Sequence, residues 1–405
     1  MSMLRTVSSL DGLRLSPQPP VQWGIGACPV RAAITVRSDE LHQTIGGFGA
    51  SMLEAGAINL NSLPATKQKE LLELLFGPSG ARLSAMKATM LSNDFSAAAA
   101  WSTYDDVAKD TLLSHFSLAR DLQPNGSLTF IKRAIAAGFE GTIQAYMDFP
   151  PDWMLTHAPT KEDHGRIAPK FYDVLANYFA RYVQGYATHG VRIDFLEAFN
   201  EPRDSYVNET ADTLATILGD HLGPTFERLG LWPNHTRLTY GGQCSRQSAG
   251  DMIPRVLAHP SAARFTDVLA YHGYDCQYED DGSCTDARQR YDAIAQLAAR
   301  FPGRPLWMTE VCYAYNGDGA HAPSCPRRVP QAAHDRPRRL AGLQLPGVLV
   351  PYTHALCTRE RFAADCCLPP SPLTFAPLSP SLTVSHLRIP APRCAQIPTA
   401  HTRRQ

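Results

Sequence analysis

Between Gln43 and Glu310 the chain alternates strand-like and helix-like runs, and that alternation restricts the fold more than any other feature. Seven segments carry a strand pattern: QTIGGFGAS (43–51), ARLSAMKATML (81–91), GTIQAYMDF (141–149), RIDFLEAFN (192–200), RLTYGG (237–242), DVLAYHGY (267–274) and PLWMTE (305–310). Helical patterns lie between them. KQKELLELLFG (67–77) is amphipathic and is stopped by Gly77. The 170–186 stretch sets Phe171, Leu175, Tyr178, Phe179 and Tyr182 on one face. Strands and helices at this spacing predict a parallel sheet with right-handed crossovers. The predicted class is therefore α/β, a (β/α)8 TIM barrel. A closed barrel needs eight strands; the pattern ends at seven, and the eighth is not found.

The flanks differ from this body. Residues 1–30 read as irregular, 31–320 as the barrel domain, and 321–405 as a separate tail. That tail holds fourteen prolines, eleven arginines, no lysine and three acidic residues, so it carries +8 in a chain of zero formal charge. Because no period survives there, it reads either as a disordered Pro-rich extension or as sequence out of frame after about Gly319; the second is the expectation. A nucleic-acid partner is not expected, since no aromatic interleaving or recognisable module accompanies the arginines. No apolar run is long enough to cross a membrane.

The first 16 residues lack the apolar core of a signal peptide. Three N-x-S/T triplets, at Asn125, Asn208 and Asn234, nevertheless fit a glycosylated protein that is secreted or lysosomal/vacuolar, with its true start missing here. Cys276 and Cys284 bracket a short acidic turn that a disulfide would close.

Glu201 and Glu310 end two of the strand runs, 109 residues apart. In a (β/α)8 barrel the C-terminal strand ends form the active face, and two carboxylates facing one another there are the equipment of glycoside hydrolysis. Burial and mutual repulsion keep one protonated while hydrogen bonds keep the other ionised.

In chain order, GFGASMLEAGAINLNSLP, SNDFS, FIKRA, AFNEP, AYHGY and WMTEVC resemble glycoside hydrolase family 30, the glucosylceramidase-like enzymes. The likeness extends over about residues 34–318. It implies retaining β-glycosidase chemistry on a (β/α)8 barrel with an attached β-sandwich, and no metal or organic cofactor. Position by position, Glu201 resembles the acid/base and Glu310 the nucleophile. Asn200 resembles the residue binding the 2-hydroxyl, and Asp94 a carboxylate gripping outer hydroxyls. His272 and Tyr274 match positions beside the nucleophile, and Trp153 a tryptophan of the sugar site. Two departures remove aromatic platforms: Tyr146, Met147 and Asp148 stand where the family has Ser-Pro-Trp, and Gly273 replaces a Trp. The expected partner is a glycolipid or other β-glycoside, with membrane-surface contact through a lipid substrate. A β-glucan, β-galactoside or xylan is the alternative substrate. An inactive product with an unclosed barrel is the alternative of another class.

Overall fold

The computed structural model describes residues 2–7, 16–22, 39–41, 44–51, 53–93, 95–96, 102–159, 165–203, 207–273 and 291–311. Its body is one seven-stranded sheet in which every neighbouring pair is parallel and spatial order follows chain order. Two further strands, β1 (Ser2–Val7) and β2 (Ser16–Gln22), form an antiparallel ribbon. It belongs to a compact unit distinct from the one that begins at Ile45. Residues 1–30 are therefore not irregular throughout. The prolines of β2 misled the pattern, but Pro19 and Pro20 together oppose Leu4 where the register shifts between Met3 and Arg5, an irregularity that tolerates missing N–H groups.

The barrel strands are β3 (Gly49–Ser51), β4 (Ala85–Thr89), β5 (Thr142–Tyr146), β6 (Phe195–Glu197), β7 (Arg237–Tyr240), β8 (Val268–His272) and β9 (Leu306–Glu310). Each falls inside one of the seven predicted runs. They are the strands of a (β/α)8 architecture, seven of its eight being present among the described residues. The sheet curls: Lys87 on β4 meets Glu310 on β9, although four strands separate them in the sheet. Phe195 on β6 and Trp307 on β9 likewise approach to 4.5 Å between ring centroids. A flat sheet spaces neighbouring strands by about 4.8 Å and forbids both contacts.

Helices cover the outer face. In α1 (Glu54–Ser62), Ala57 and Leu60 are buried. In α2 (Ala65–Phe76), Leu72 and Phe76 are buried four residues apart, while Leu74 faces outward. α3 (Ser127–Ala136) buries Leu128, Ile131 and Ala134 at helical spacing. α4 (Tyr172–Thr188) buries the predicted aromatic face and adds Tyr186. Helix α5 (Ala211–Thr216) opens on a capping box, in which the Thr210 side chain accepts from the Thr213 N–H and the Thr213 hydroxyl reaches back to the Thr210 N–H. A π-helical stretch (Ile217–Leu222) carries it into α6 (Gly223–Arg228). α7 (Arg246–Val256), α8 (Pro260–Phe265) and α9 (Tyr291–Arg300) complete the set. No described helix is long and apolar enough to cross a membrane.

Candidate active site

Strand alternation sends every second side chain into the curl, except on β9, where an irregular register with β8 past Met308 lets both Trp307 and Glu310 point inward; near the C-terminal strand ends those side chains are polar. β4 sends in Lys87, β5 Gln144 and Tyr146, β6 Glu197, β7 Thr239, β8 His272 and β9 Glu310. Lys87 and His272 are wholly buried, and Glu201 and Glu310 are each 7% exposed. A buried lysine is costly unless paired. Here its ammonium donates to Glu310 Oε2 at 2.8 Å and Asn200 Oδ1 at 3.1 Å, and it lies 3.9 Å from the centroid of the Tyr146 ring. The cation favours an ionised Glu310 and aims one of its oxygens.

Glu201 follows β6 on a tight turn. Its backbone is left-handed at φ 46°, a conformation that strains a non-glycine residue. Two hydrogen bonds support the turn: Asn200 N–H donates to the Met147 carbonyl, and Glu201 N–H to the Gly242 carbonyl, at 2.8 and 2.9 Å. Glu201 Oε1 lies 2.7 Å from His272 Nδ1, and His272 Nε2 is 3.8 Å from Glu310 Oε2. Burial holds the His272 imidazole down to about 3, outweighing the opposite pull of Glu310. The ring is thus neutral near neutral pH, able to accept from a protonated Glu201 or donate to an ionised one. Donor atoms of Glu201, His272 and Glu310 all lie within 4.8 Å of one another, a spacing that also suits a cation. The charge at this point is instead supplied by Lys87, and the imidazole is engaged with Glu201.

Glu201, Asn200, His272 and Glu310 therefore converge. Asn200 turns its Oδ1 to Lys87, leaving the amide NH2 as its free hydrogen-bonding end. Trp153 follows β5 on a short 3-10 turn (Asp152–Met154). Its indole N–H donates to the Asp105 carbonyl and its ring meets Phe171 edge-on, so only the rest of its surface is open to a sugar. Asp94, Tyr274, Cys276 and Cys284 lie outside the described residues. Of the sequons, Asn234 is exposed, while Asn125 and Asn208 are half-buried. Asn125 also accepts from the Asn61 amide. At Gly273 a Cβ would come within 3.0 Å of the Val311 side chain, and its N–H donates to the Glu310 carbonyl. This close approach favours glycine where the family carries Trp.

Sequence reasoning missed three groups. Lys87 and Glu197 were visible as charges inside apolar strands, a pattern that needs a buried partner to be stable. Cys244 is buried and disulfide-bonded, with its partner outside the described residues.

Comparison with known proteins agrees with this geometry. The model of the Glycosyl hydrolase family 30 TIM-barrel domain matches residues 45–316. Putative glucosylceramidase 3 of Caenorhabditis elegans is 27% identical over 71% of this chain and 54% of its own length. An endo-1,6-beta-D-glucanase of Neurospora crassa is 30% identical over 47% of this chain and 41% of its own. The chain thus spans about half the length of the curated relatives it matches. SrfJ from Salmonella typhimurium shares the fold, with a TM-score of 0.66 at 19% identity over 79% of this chain and 68% of that one. With carboxylates at the ends of β6 and β9 and a family model spanning the whole sheet, the chain belongs to glycosyl hydrolase family 30.

Proposed function

We propose that this protein hydrolyses a β-glycosidic bond by double displacement, with Glu310 as nucleophile and Glu201 as acid/base. One observation carries the proposal: carboxylate oxygens of Glu201 and Glu310 lie within 4.8 Å of each other at the mouth of the sheet. Retaining glycosidases hold their carboxyl groups about 5–5.5 Å apart, whereas inverting enzymes leave about 6.5–9.5 Å for a water. Glu310, ionised beside Lys87, attacks the anomeric carbon. The glycosidic C–O bond breaks, and Glu201 gives its proton to the leaving oxygen. Glu201, now a carboxylate, then takes a proton from the water that cleaves the glycosyl ester, restoring both residues. The Asn200 amide is placed to bind a sugar hydroxyl next to the reacting carbon, and neutral His272 follows Glu201 through both protonation states.

The preferred substrate is a glucosylceramide-type glycolipid, on the strength of the nematode relative, which is described as a putative glucosylceramidase. A β-1,6-glucan is the second reading, favoured by the Neurospora relative. A secreted or lysosomal setting is supported by the disulfide at Cys244, since such bonds persist in oxidising compartments.

The test is covalent labelling. The 405-residue chain is incubated with a mechanism-based β-glucosyl epoxide, digested and mapped by mass. Label on Glu310 is the expected result. An unlabelled chain beside a labelled complete family member would overturn glucoside hydrolysis; labelling only by the galactosyl epoxide would move the sugar, not the mechanism. Release of glucose from glucosylceramide vesicles, compared with a β-1,6-glucan, separates the two substrates.

A further inference from the structure

Beneath the catalytic pair lies a third buried carboxylate that the mechanism above does not use. Glu197 ends β6, is 3% exposed, and points into the curl. Its Oε2 accepts from the Gln144 amide at 3.1 Å, and its Oε1 from the Gly242 N–H at 2.5 Å. The Gln144 amide is held in turn by Thr239 Oγ1 at 3.0 Å. Gly242 is the same residue whose carbonyl accepts the Glu201 N–H. One residue, through the two peptide groups that flank its Cα, therefore joins the Glu197 carboxylate to the strained backbone of the acid/base. The fit is close, since a Cβ on Gly242 would lie 2.6 Å from Glu197 Oε1 and force that carboxylate to move. On its other side Glu197 interacts electrostatically with both Lys87 and Glu310.

The geometry points to Glu197 as a positioning residue that couples the two catalytic glutamates, holding Glu201 through the N–H and carbonyl of Gly242 and serving as a second counter-charge for Lys87. This rests on the double-displacement reading. When Glu310 attacks, its negative charge is consumed in the new bond to the anomeric carbon. The electron pair of the broken C–O bond leaves with the aglycone oxygen, which takes the proton of Glu201. Lys87 is then a buried ammonium without its carboxylate partner. Glu197 is the buried acid that can ionise in its favour, its proton passing to solvent.

The groups facing Glu197 agree with a proton held in the resting state. Burial pushes its carboxyl up to about 7; Lys87 on β4 and the Gly242 N–H oppose that rise, and Glu310 on β9 adds to it. From β5 it faces the neutral Gln144 amide, itself held by Thr239 on β7; the Tyr240 phenol of β7 feels its charge, and beyond Glu310 lies neutral His272 on β8. Removing the charge of Glu310 therefore removes a repulsion and eases ionisation of Glu197.

The test uses difference infrared spectroscopy of the full chain from about pH 4 to about pH 9, in wild type, E197Q and E310Q. The amide of E310Q stands in for the neutral ester. We expect a protonated-carboxyl band that is absent in E197Q, disappears near neutral pH in wild type, and disappears at least about one pH unit lower in E310Q. The same midpoint for that band in wild type and E310Q would overturn the coupling; should E197Q not fold, E197D, which displaces the band, assigns it to Glu197 and not to Glu201 or Asp121. The Gln side chain has a way to fit: Gln144 Oε1 has no partner among the described residues, so a flipped Gln144 amide can accept from it. In folded E197Q, formation of the glycosyl-enzyme from an activated aryl glucoside should slow about tenfold, with the arm of the pH profile near neutrality lost. A lower Tm with an unchanged pH profile would mean packing only and would sink the proposal. A wild-type chain that takes no epoxide label yet shows the band shift would retain the coupling and overturn the hydrolase reading alone.

Discussion

Two clusters of buried acid stand in this molecule, and only one of them is built like a catalytic site. Behind the sheet, Asp121 takes two phenol hydrogen bonds on a single oxygen, from Tyr104 at 2.6 Å and Tyr186 at 2.5 Å. Tyr182 packs between those phenols, 4.4 Å from the Tyr186 ring and 5.5 Å from that of Tyr104. Asp121 has no cation partner among the described residues. Burial pushes its carboxyl up to about 6 against the pull of both phenols. At the strand ends, by contrast, Glu310 has Lys87 and Glu201 has His272. A displaced pKa is thus common to both clusters and does not distinguish them. What does is a fixed cation beside one carboxylate, an acid or base beside the other, and a position at the end of parallel strands. The Asp121 cluster ties the loop after β4 to α4, and the Tyr104 and Tyr186 hydroxyls both donate to Asp121 within the protein.

Substitutions should separate the two clusters, beginning with the largest effect. E310Q should lower turnover of an aryl β-glucoside by at least about 10⁴-fold, as loss of a nucleophile does. D121N should leave kcat/KM within about threefold, because Asp121 touches no reacting group; comparable losses in both variants would erase the distinction. E201Q should slow substrates with poor leaving groups by about 10²–10⁴-fold while sparing activated aryl glucosides. Equal losses on both substrate types would remove its acid role. K87M leaves the Glu310 charge buried without its partner, and should lower stability by about 3–5 kcal/mol along with activity. Denaturant titration beside kinetics would reveal either effect without the other.

The smaller effects concern Asp121. D121N should cost about 1–3 kcal/mol and Y186F about 0.5–1.5 kcal/mol, with little change in rate. The D121N cost should depend on pH. Folded Asp121 keeps a proton that the unfolded chain surrenders above its ordinary 3.8, so wild type loses stability as pH rises from there through about 6. Asn does not titrate, so the gap between wild type and D121N should be wider at pH 4 than at pH 7. A constant gap would contradict the elevated carboxyl. His272 acts in the opposite direction. Below its ordinary 6.5 the unfolded chain takes up a proton that the folded ring refuses until about 3, so that contribution is lost on acidification. It is common to both proteins and cancels in the difference.

Much of the barrel was legible because its cues are local. Seven apolar runs ending in small or polar residues became seven strands in sequential order, and α4 buried the aromatic face read from its 3.6-residue period. Glu201 and Glu310 were legible for the same reason, each being the acid that closes such a run. The β1–β2 ribbon was not, since Pro-rich segments carry no alternation, and the pair tolerates Pro19 and Pro20 through a shift in register opposite them.

The sequence by itself determined where the strands end and, on β4 to β8, which residues alternate inward, since that follows from the two-residue period of a strand; the irregular register of β9, which turns Glu310 inward, does not. Tertiary structure alone decided what those residues meet. Lys87 and Glu310 are 223 positions apart, His272 and Glu201 71, and Gly242 and Glu197 45. No periodicity relates such pairs; strand register and the curl of the sheet do. A lysine, a histidine and a third glutamate that each look costly inside an apolar strand are stable because the curl brings them together.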